Sequence, residues 1–230
     1  MPINYKKTVA MTFSNKKQPL SFSYNYNGST LAHVSEFKYL GITFTHDLKW
    51  GKHVDQITCQ ALRKLGYLKR RLKNSTKDCK LTAYKTLVRP MLEYASVVWS
   101  PHLEQDKNRL ESVQNKAIRF VFNRYDRDFS PSSHAHLLSL HSLEHRRTRE
   151  SIILLHKIVH KMTHIHAPLS FADIPARTTC STNALNLVPF RSRLDCFKFS
   201  FFPRVVEIWN KLDGALRRLN TVEFGKNFMC

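Results

Sequence analysis

Glycine is scarce. Six residues in 230 leave little room for a phosphate-cradling loop or a dinucleotide fingerprint, and neither spacing occurs. No two cysteines are two residues apart; the five stand at 59, 79, 180, 196 and 230. That pattern excludes a zinc ribbon and a disulfide framework, and fits buried thiols in a reducing compartment. No window approaches the roughly 18 apolar residues of a membrane span. The opening stretch, MPINYKKTVAMTFSNKK, lacks an apolar signal core, so the expectation is an intracellular chain with no membrane partner. No two aspartates are adjacent anywhere, and no G-x-S-x-G elbow is present.

Acid is thin as well. Seventeen Asp and Glu face 37 Lys and Arg, for a net charge of +20. A field of that size favours a polyanion, because neutralising phosphates releases condensed counterions; the expected partner is nucleic acid. The hydrophobic share of 42% fits a globular fold rather than a disordered one. Much of the charge is local: residues 49 to 73 carry eight Lys or Arg against Asp55 alone.

Residues 7–14, 21–26 and 36–45 read as three short strands separated by turn chemistry at Asn15–Pro19 and Asn27-Gly28-Ser29. Within FKYLGITFTHDLKW, residues 37 to 50, Gly41 sits among bulky β-formers, as where a strand bulges or something approaches closely. From Trp50 the period changes. Val54, Ile57, Ala61, Leu65, Leu68 and Leu72 recur at helical spacing. At about 100° per residue they lie within about 40° of Ala61, which puts Lys52, Arg63 and Arg70 near the opposite pole with Lys49 and Tyr67 beside them. Arg forks onto phosphate and Tyr lies against a sugar or base, so this face is the candidate interface.

Ser75 and Asp78 are spaced as a capping box for a second helix. Its seam, Leu81, Tyr84, Val88, Met91, Ala95 and Val98, should pack on the first helix, with Pro90 kinking or splitting it. A third helix is expected over Glu104–Asn123, and a fourth over Ser142–Met162 with Thr148, Ile152, Leu155, Val159 and Met162 in phase. Between these two, FSPSSH reads as a loop, and Ala167–Asn183 as a linker. LNLVPF and FKFSFF look extended, and Pro203 suits the first turn of a closing helix, PRVVEIWNKL.

Other constellations read as structure. His156, His160 and His164 have zinc-compatible spacing, but no Cys or acid stands close to complete a site, so they read as a helix flank. Asp126 and Asp128 in YDRDF, flanked by Arg124 and Arg127, read as salt-bridged caps. KRRLK at 69–73 has the composition of a nuclear signal. Trp99, Trp209 and FFPR read as core.

The order of motifs carries a resemblance. Asn4, Lys7 and Thr8, in N-x-x-K-T, followed by Phe37-Lys38-Tyr39-Leu40-Gly41-Ile42, resemble the end of a reverse transcriptase palm and its primer grip. LVRPMLEYASVVWSP (87–101), LESVQNKAIRFV (110–121), SLEHRR (142–147) and FFPRVVEIWNKL (201–212) follow in the expected order. Together they resemble the C-terminal part of the RNA-directed DNA polymerase of non-LTR retrotransposons. The resemblance implies a primer-grip role for Tyr39, Leu40 and Gly41, and a thumb bundle after them. Duplex contacts then fall to Lys49, Lys52, Arg63, Tyr67 and Arg70. Lys7 matches the lysine proposed to protonate the leaving pyrophosphate. The complete family enzyme uses Mg²⁺ held by a Tyr-x-Asp-Asp turn and an earlier strand, and this sequence has no such pair. The expectation is therefore a truncated copy without the catalytic aspartates, inactive alone, retaining primer-template or RNA binding, with the missing palm and fingers as a further partner. The alternative is a non-enzymatic protein-interaction or RNA-binding relic, which an exposed heptad seam would favour.

The expected fold is α+β, mainly α. A small antiparallel sheet at residues 1–47 precedes a thumb-like helical bundle at 48–128. A mixed C-terminal region fills 129–230, with one long helix, a loop and a short closing helix.

Overall fold

Helical periodicity governs the chain from Gly51 onward, and it does so in the computed structural model, which describes residues 4, 7–16, 22–26, 28–171 and 185–227. Helix α1 (Gly51–Arg71) buries Val54, Ile57, Ala61, Leu65 and Leu68, the expected stripe. Its main partner is α5 (Glu104–Phe122), which buries Leu110, Val113, Ala117 and Val121. The two run in the same direction. Asp55 near the start of α1 meets Arg109 near the start of α5 at 2.6 Å. At the other end, the Lys69 ammonium sits 5.1 Å from the ring of Tyr125, just past α5.

Between them the chain folds back through α2 (Lys77–Ala83), a π-turn (Tyr84–Val88), α3 (Arg89–Glu93) and α4 (Ser96–Trp99). Thr76, not Ser75, caps α2, its hydroxyl accepting from the Cys79 N–H at 3.4 Å. Pro90 explains the π-turn. It has no N–H, and its ring crowds the carbonyl four residues back, so the preceding turn widens and the Arg89 N–H reaches the Tyr84 carbonyl. One extra residue per turn rotates everything downstream. The expected seam holds for Tyr84 and Val88, but Leu92, Ser96 and Trp99 are then buried in place of Met91, Ala95 and Val98. The seam is internal, sealed by the Tyr84 hydroxyl donating to Gln114 at 2.9 Å.

Pro131 opens a short helix, α6 (Pro131–His134), and a 3₁₀ turn (His136–Leu138) follows, where composition alone reads as loop. Helix α7 (Leu143–Val159) starts on a Ser142 cap. It stops three residues short of the periodic pattern, Lys161 turning left-handed, which leaves Met162 exposed rather than in the stripe. One cluster of buried side chains runs from Ile42 to Leu143. A second gathers Ile152, Leu155, Leu187, Val205, Val206, Trp209 and Phe224. Helix α7 serves both.

The C-terminal expectations need correction. FKFSFF is not extended; it spans α8 (Asp195–Lys198) and the start of α9 (Phe201–Lys211), and Pro203 is the third residue of α9. Nor does α9 close the chain, because α10 (Gly214–Arg218) and α11 (Thr221–Asn227) follow. The Arg217 guanidinium donates to the carbonyls of Asn210 and Leu212, satisfying orphan acceptors at the end of α9. Trp99 and Trp209 are both fully buried, each indole N–H on a backbone carbonyl. The expected linker falls largely on residues 172–184, outside the described residues.

The N-terminal strands are shorter and more divided than the pattern implies. Val9–Ala10 (β1) pairs in parallel with Ala32–His33 (β4). Asn25–Tyr26 (β2) pairs antiparallel with Ser29–Thr30 (β3), and Glu36–Tyr39 (β5) with Ile42–Thr45 (β6). These are three separate two-stranded pieces. The fold remains α+β and mainly α, with the small sheets first and the helices after.

Candidate nucleic-acid interface

The β5–β6 hairpin sits directly on α1. Ile42 and Thr43 of β6 are buried against it, while all of β5 is exposed. Two bonds fix the seat. The Thr43 hydroxyl donates to Gln56 Oε1 at 2.6 Å, and the Thr43 N–H donates to His53 Nδ1 at 3.3 Å. That second bond requires His53 with a bare Nδ1. Burial, with the nearby Lys38 charge, holds its pKa down to about 4. The ring stands edge-on to Trp99, centroids 5.0 Å apart.

Gly41 lies in the hairpin turn rather than inside a strand. Leu40 and Gly41 both have positive φ, 46° and 85°, the two-residue turn that matches the twist of the flanking strands. What comes close is Tyr94. Its hydroxyl donates to the Leu40 carbonyl at 3.2 Å, and a Cβ on Gly41 would meet its ring at 3.3 Å. Tyr94 is 54 residues away from Leu40, so no local signal announces it. Tyr39, Leu40 and Gly41 therefore form an exposed tip, held from behind. On the outer side, an open groove of about 480 Å³ is lined by Lys7, Thr8, Val9, Met11, Phe13, Phe37, Tyr39 and Phe44. The structure thus brings Lys7 and Tyr39 together.

On α1, Lys52, Arg63, Tyr67 and Arg70 are all exposed on the face opposite Ala61, and Lys49 is exposed just before the helix begins. Their charges are not equivalent. Lys52 is ion-paired with Glu36 of β5, and Lys49 with Asp47 at 3.2 Å. Among the described residues no carboxylate pairs with Arg63, Lys64 or Arg70. Gln60, Arg63, Lys64 and Tyr67 line a shallow depression of about 360 Å³. The Arg71 guanidinium lies over the Tyr67 ring, 5.6 Å from its centroid.

His156, His160 and Asp126 from the other constellations are held in structural bonds. His156 and His160 donate from Nε2 to the carbonyls of Leu219 and Arg217 at 3.0 and 2.9 Å. The carboxylate of Asp126 receives Arg124 at 2.7 Å. Among the described residues, no three His, Cys, Asp or Glu converge as metal ligands, and no helix is long and apolar enough to cross a membrane.

No family model and no solved structure matches the chain. Curated relatives do. A probable RNA-directed DNA polymerase from transposon BS of Drosophila melanogaster is 30% identical over 125 residues, 53% of this chain and 14% of that protein. The RNA-directed DNA polymerase from the mobile element jockey of the same species is 28% identical over 123 residues, 52% of this chain and 13% of the relative. A probable polymerase from the X-element is 31% identical over 88 residues, 36% of this chain and 10% of its own length. The chain thus spans about one seventh or less of each of these proteins. Over about half its length, it is homologous to the RNA-directed DNA polymerases of non-LTR retrotransposons, a reverse-transcriptase-related region.

Proposed function

We propose that this region grips a primer-template or RNA duplex through its phosphate backbone. Lys49, Lys52, Arg63, Tyr67 and Arg70 of the α1 face contact the duplex, and the Tyr39-Leu40-Gly41 tip bears on a strand end. One observation carries the reading: Arg63 and Arg70 stand exposed and unneutralised opposite a stripe anchored by fully buried Ala61. A helix that buries one side against α5 and leaves guanidinium forks on the other fits a phosphate track, since each fork matches two phosphate oxygens. The polymerase names of the relatives support the same partner class. Burial of Tyr84, Val88, Leu92 and Trp99 along the seam gives the protein-interaction alternative less support.

Polymerisation is not assigned to these residues. Two Mg²⁺ ions need converging carboxylates. The sequence has no Asp-Asp pair, and on this reading the ions are held elsewhere than by these residues. Lys7 then has no metal-activated leaving group to protonate. The chain alone should give no nucleotide incorporation in a primer-extension assay with Mg²⁺.

The binding claim is tested by fluorescence anisotropy on an RNA–DNA hybrid at low salt. Replacing Lys52, Arg63 and Arg70 together by Ala should weaken binding about a hundredfold, nearly independent of sequence, each lost contact being worth about 1 kcal/mol. Unchanged affinity would mean the face is ordinary solvated surface.

A further inference from the structure

Because α1 and α5 run in the same direction, their C-terminal ends meet, and the start of α2 joins them there. Segments 69–80 and 116–128 carry ten Lys or Arg against Asp78, Asp126 and Asp128. Two of these cations act directly on each other. The Lys69 ammonium is driven below its usual pKa by burial and by the Lys116 charge beside it. Favourable interaction with the negative helix ends accounts for Lys69, Arg70, Arg71 and Arg119 in the last turns. It does not account for Lys73, Lys77, Lys116 and Arg127, three of them beyond either helix end; Arg124 is answered by Asp126. Like charges gathered this way oppose folding; a bound polyanion removes that opposition.

Aromatic rings are interleaved with the charge. Lys69 caps the Tyr125 ring at 5.1 Å, Lys77 lies over Phe122 at 5.1 Å, and Arg124 over Phe129 at 5.3 Å. Phe129 is buried, but Tyr125 is 56% exposed in the loop after α5. A duplex hides its base faces within its own stack. An exposed ring amid cations, beyond the end of the α1 face, gives unpaired bases a surface to stack on while the cations follow the backbone.

We infer that this end of the bundle is a second nucleic-acid site, for single-stranded RNA or DNA. Tyr125 is its stacking platform, and Lys69, Lys73 and Lys116 are its phosphate contacts. The inference rests on the duplex reading only in placing this strand as the unpaired continuation of a duplex lying on α1, whose exposed face ends at the same place.

The test compares a blunt RNA–DNA hybrid with the same hybrid carrying an overhang of about ten nucleotides, at either polarity, on the full chain. The overhang should tighten binding about tenfold in one polarity, the scale of one or two base-stacking contacts. Tyr125→Ala should remove that gain and leave blunt-hybrid affinity unchanged, while Tyr125→Phe should keep it. An abasic overhang of equal length should give markedly less. No gain, or a gain equal for the abasic strand or for Tyr125→Ala, overturns the site. Failure of the blunt hybrid to bind while single strands still bind through Tyr125 overturns the duplex reading alone.

Discussion

The hairpin region and the helical bundle solve the same problem differently. In α1 and α5 each element has one buried stripe and one wet face, and the stripes meet. In residues 7–45 no described piece has more than two strands, the longest strands have four residues, and β5 is exposed along its whole length. Pairs of strands are marginal in water without a covering layer. The hairpin therefore borrows its stability from α1 through Thr43, His53 and Gln56, and from Tyr94 behind its turn. Charge follows the same division: the bundle supplies the cationic surface, and the ribbon supplies an exposed tip.

The comparison breaks if the bundle proves as fragile as the ribbon. Leu65→Ala, at a fully packed position between α1 and its neighbours, should cost about 3 kcal/mol in denaturant unfolding, as buried leucines do. Acid tests the borrowed seat. The folded pKa of His53 is about 4, below the unfolded value of roughly 6.5, so its contribution is complete above pH 6.5 and is lost as pH falls toward 4. Protonation also occupies the Nδ1 that accepts the Thr43 N–H. The loss should approach about 2 kcal/mol after allowance for solvent screening, and thermal melts of His53→Gln should lack that part of the acid dependence. Unaltered acid dependence would detach the hairpin from His53.

Smaller effects sharpen the picture. Gly41→Ala places a Cβ at φ of 85° and 3.3 Å from the Tyr94 ring, which should cost about 1–2 kcal/mol. Tyr94→Phe should recover none of it. Lys52→Ala should change stability by less than about 0.5 kcal/mol, since its pair with Glu36 is half-exposed. In hybrid binding the same substitution should matter less than Arg63→Ala, because part of the Lys52 charge is already answered.

Much of this is legible in the residues. The stripes of α1 and α5 follow from periodicity because each is one unbroken helix, Gly51–Arg71 and Glu104–Phe122, so the phase holds along its length. Periodicity misplaces the region after Val88 by one residue, for the same reason in reverse: the π-turn at Pro90 inserts an offset that spacing alone does not disclose. FKFSFF alternates like a strand, yet folds as helix because Phe190, Phe197, Phe201 and Phe202 gather into an aromatic group best reached from α8 and α9. Angular position on α1 locates the exposed cations. It does not locate their partners, because Glu36, which pairs with Lys52, belongs to another element; the Asp55–Arg109 pair, 54 residues apart, is the same kind of tertiary fact. The exposure of Tyr125 is likewise set by how its loop leaves α5, which the composition of YDRDF does not disclose.

The proposed phosphate track on α1 is read out by the salt dependence of hybrid binding. The logarithm of affinity should fall linearly with the logarithm of salt concentration, and replacing Arg63 and Arg70 by Ala should lower the steepness by about two, near one for each phosphate contact removed. An identical slope for the wild-type chain and the double variant would contradict it.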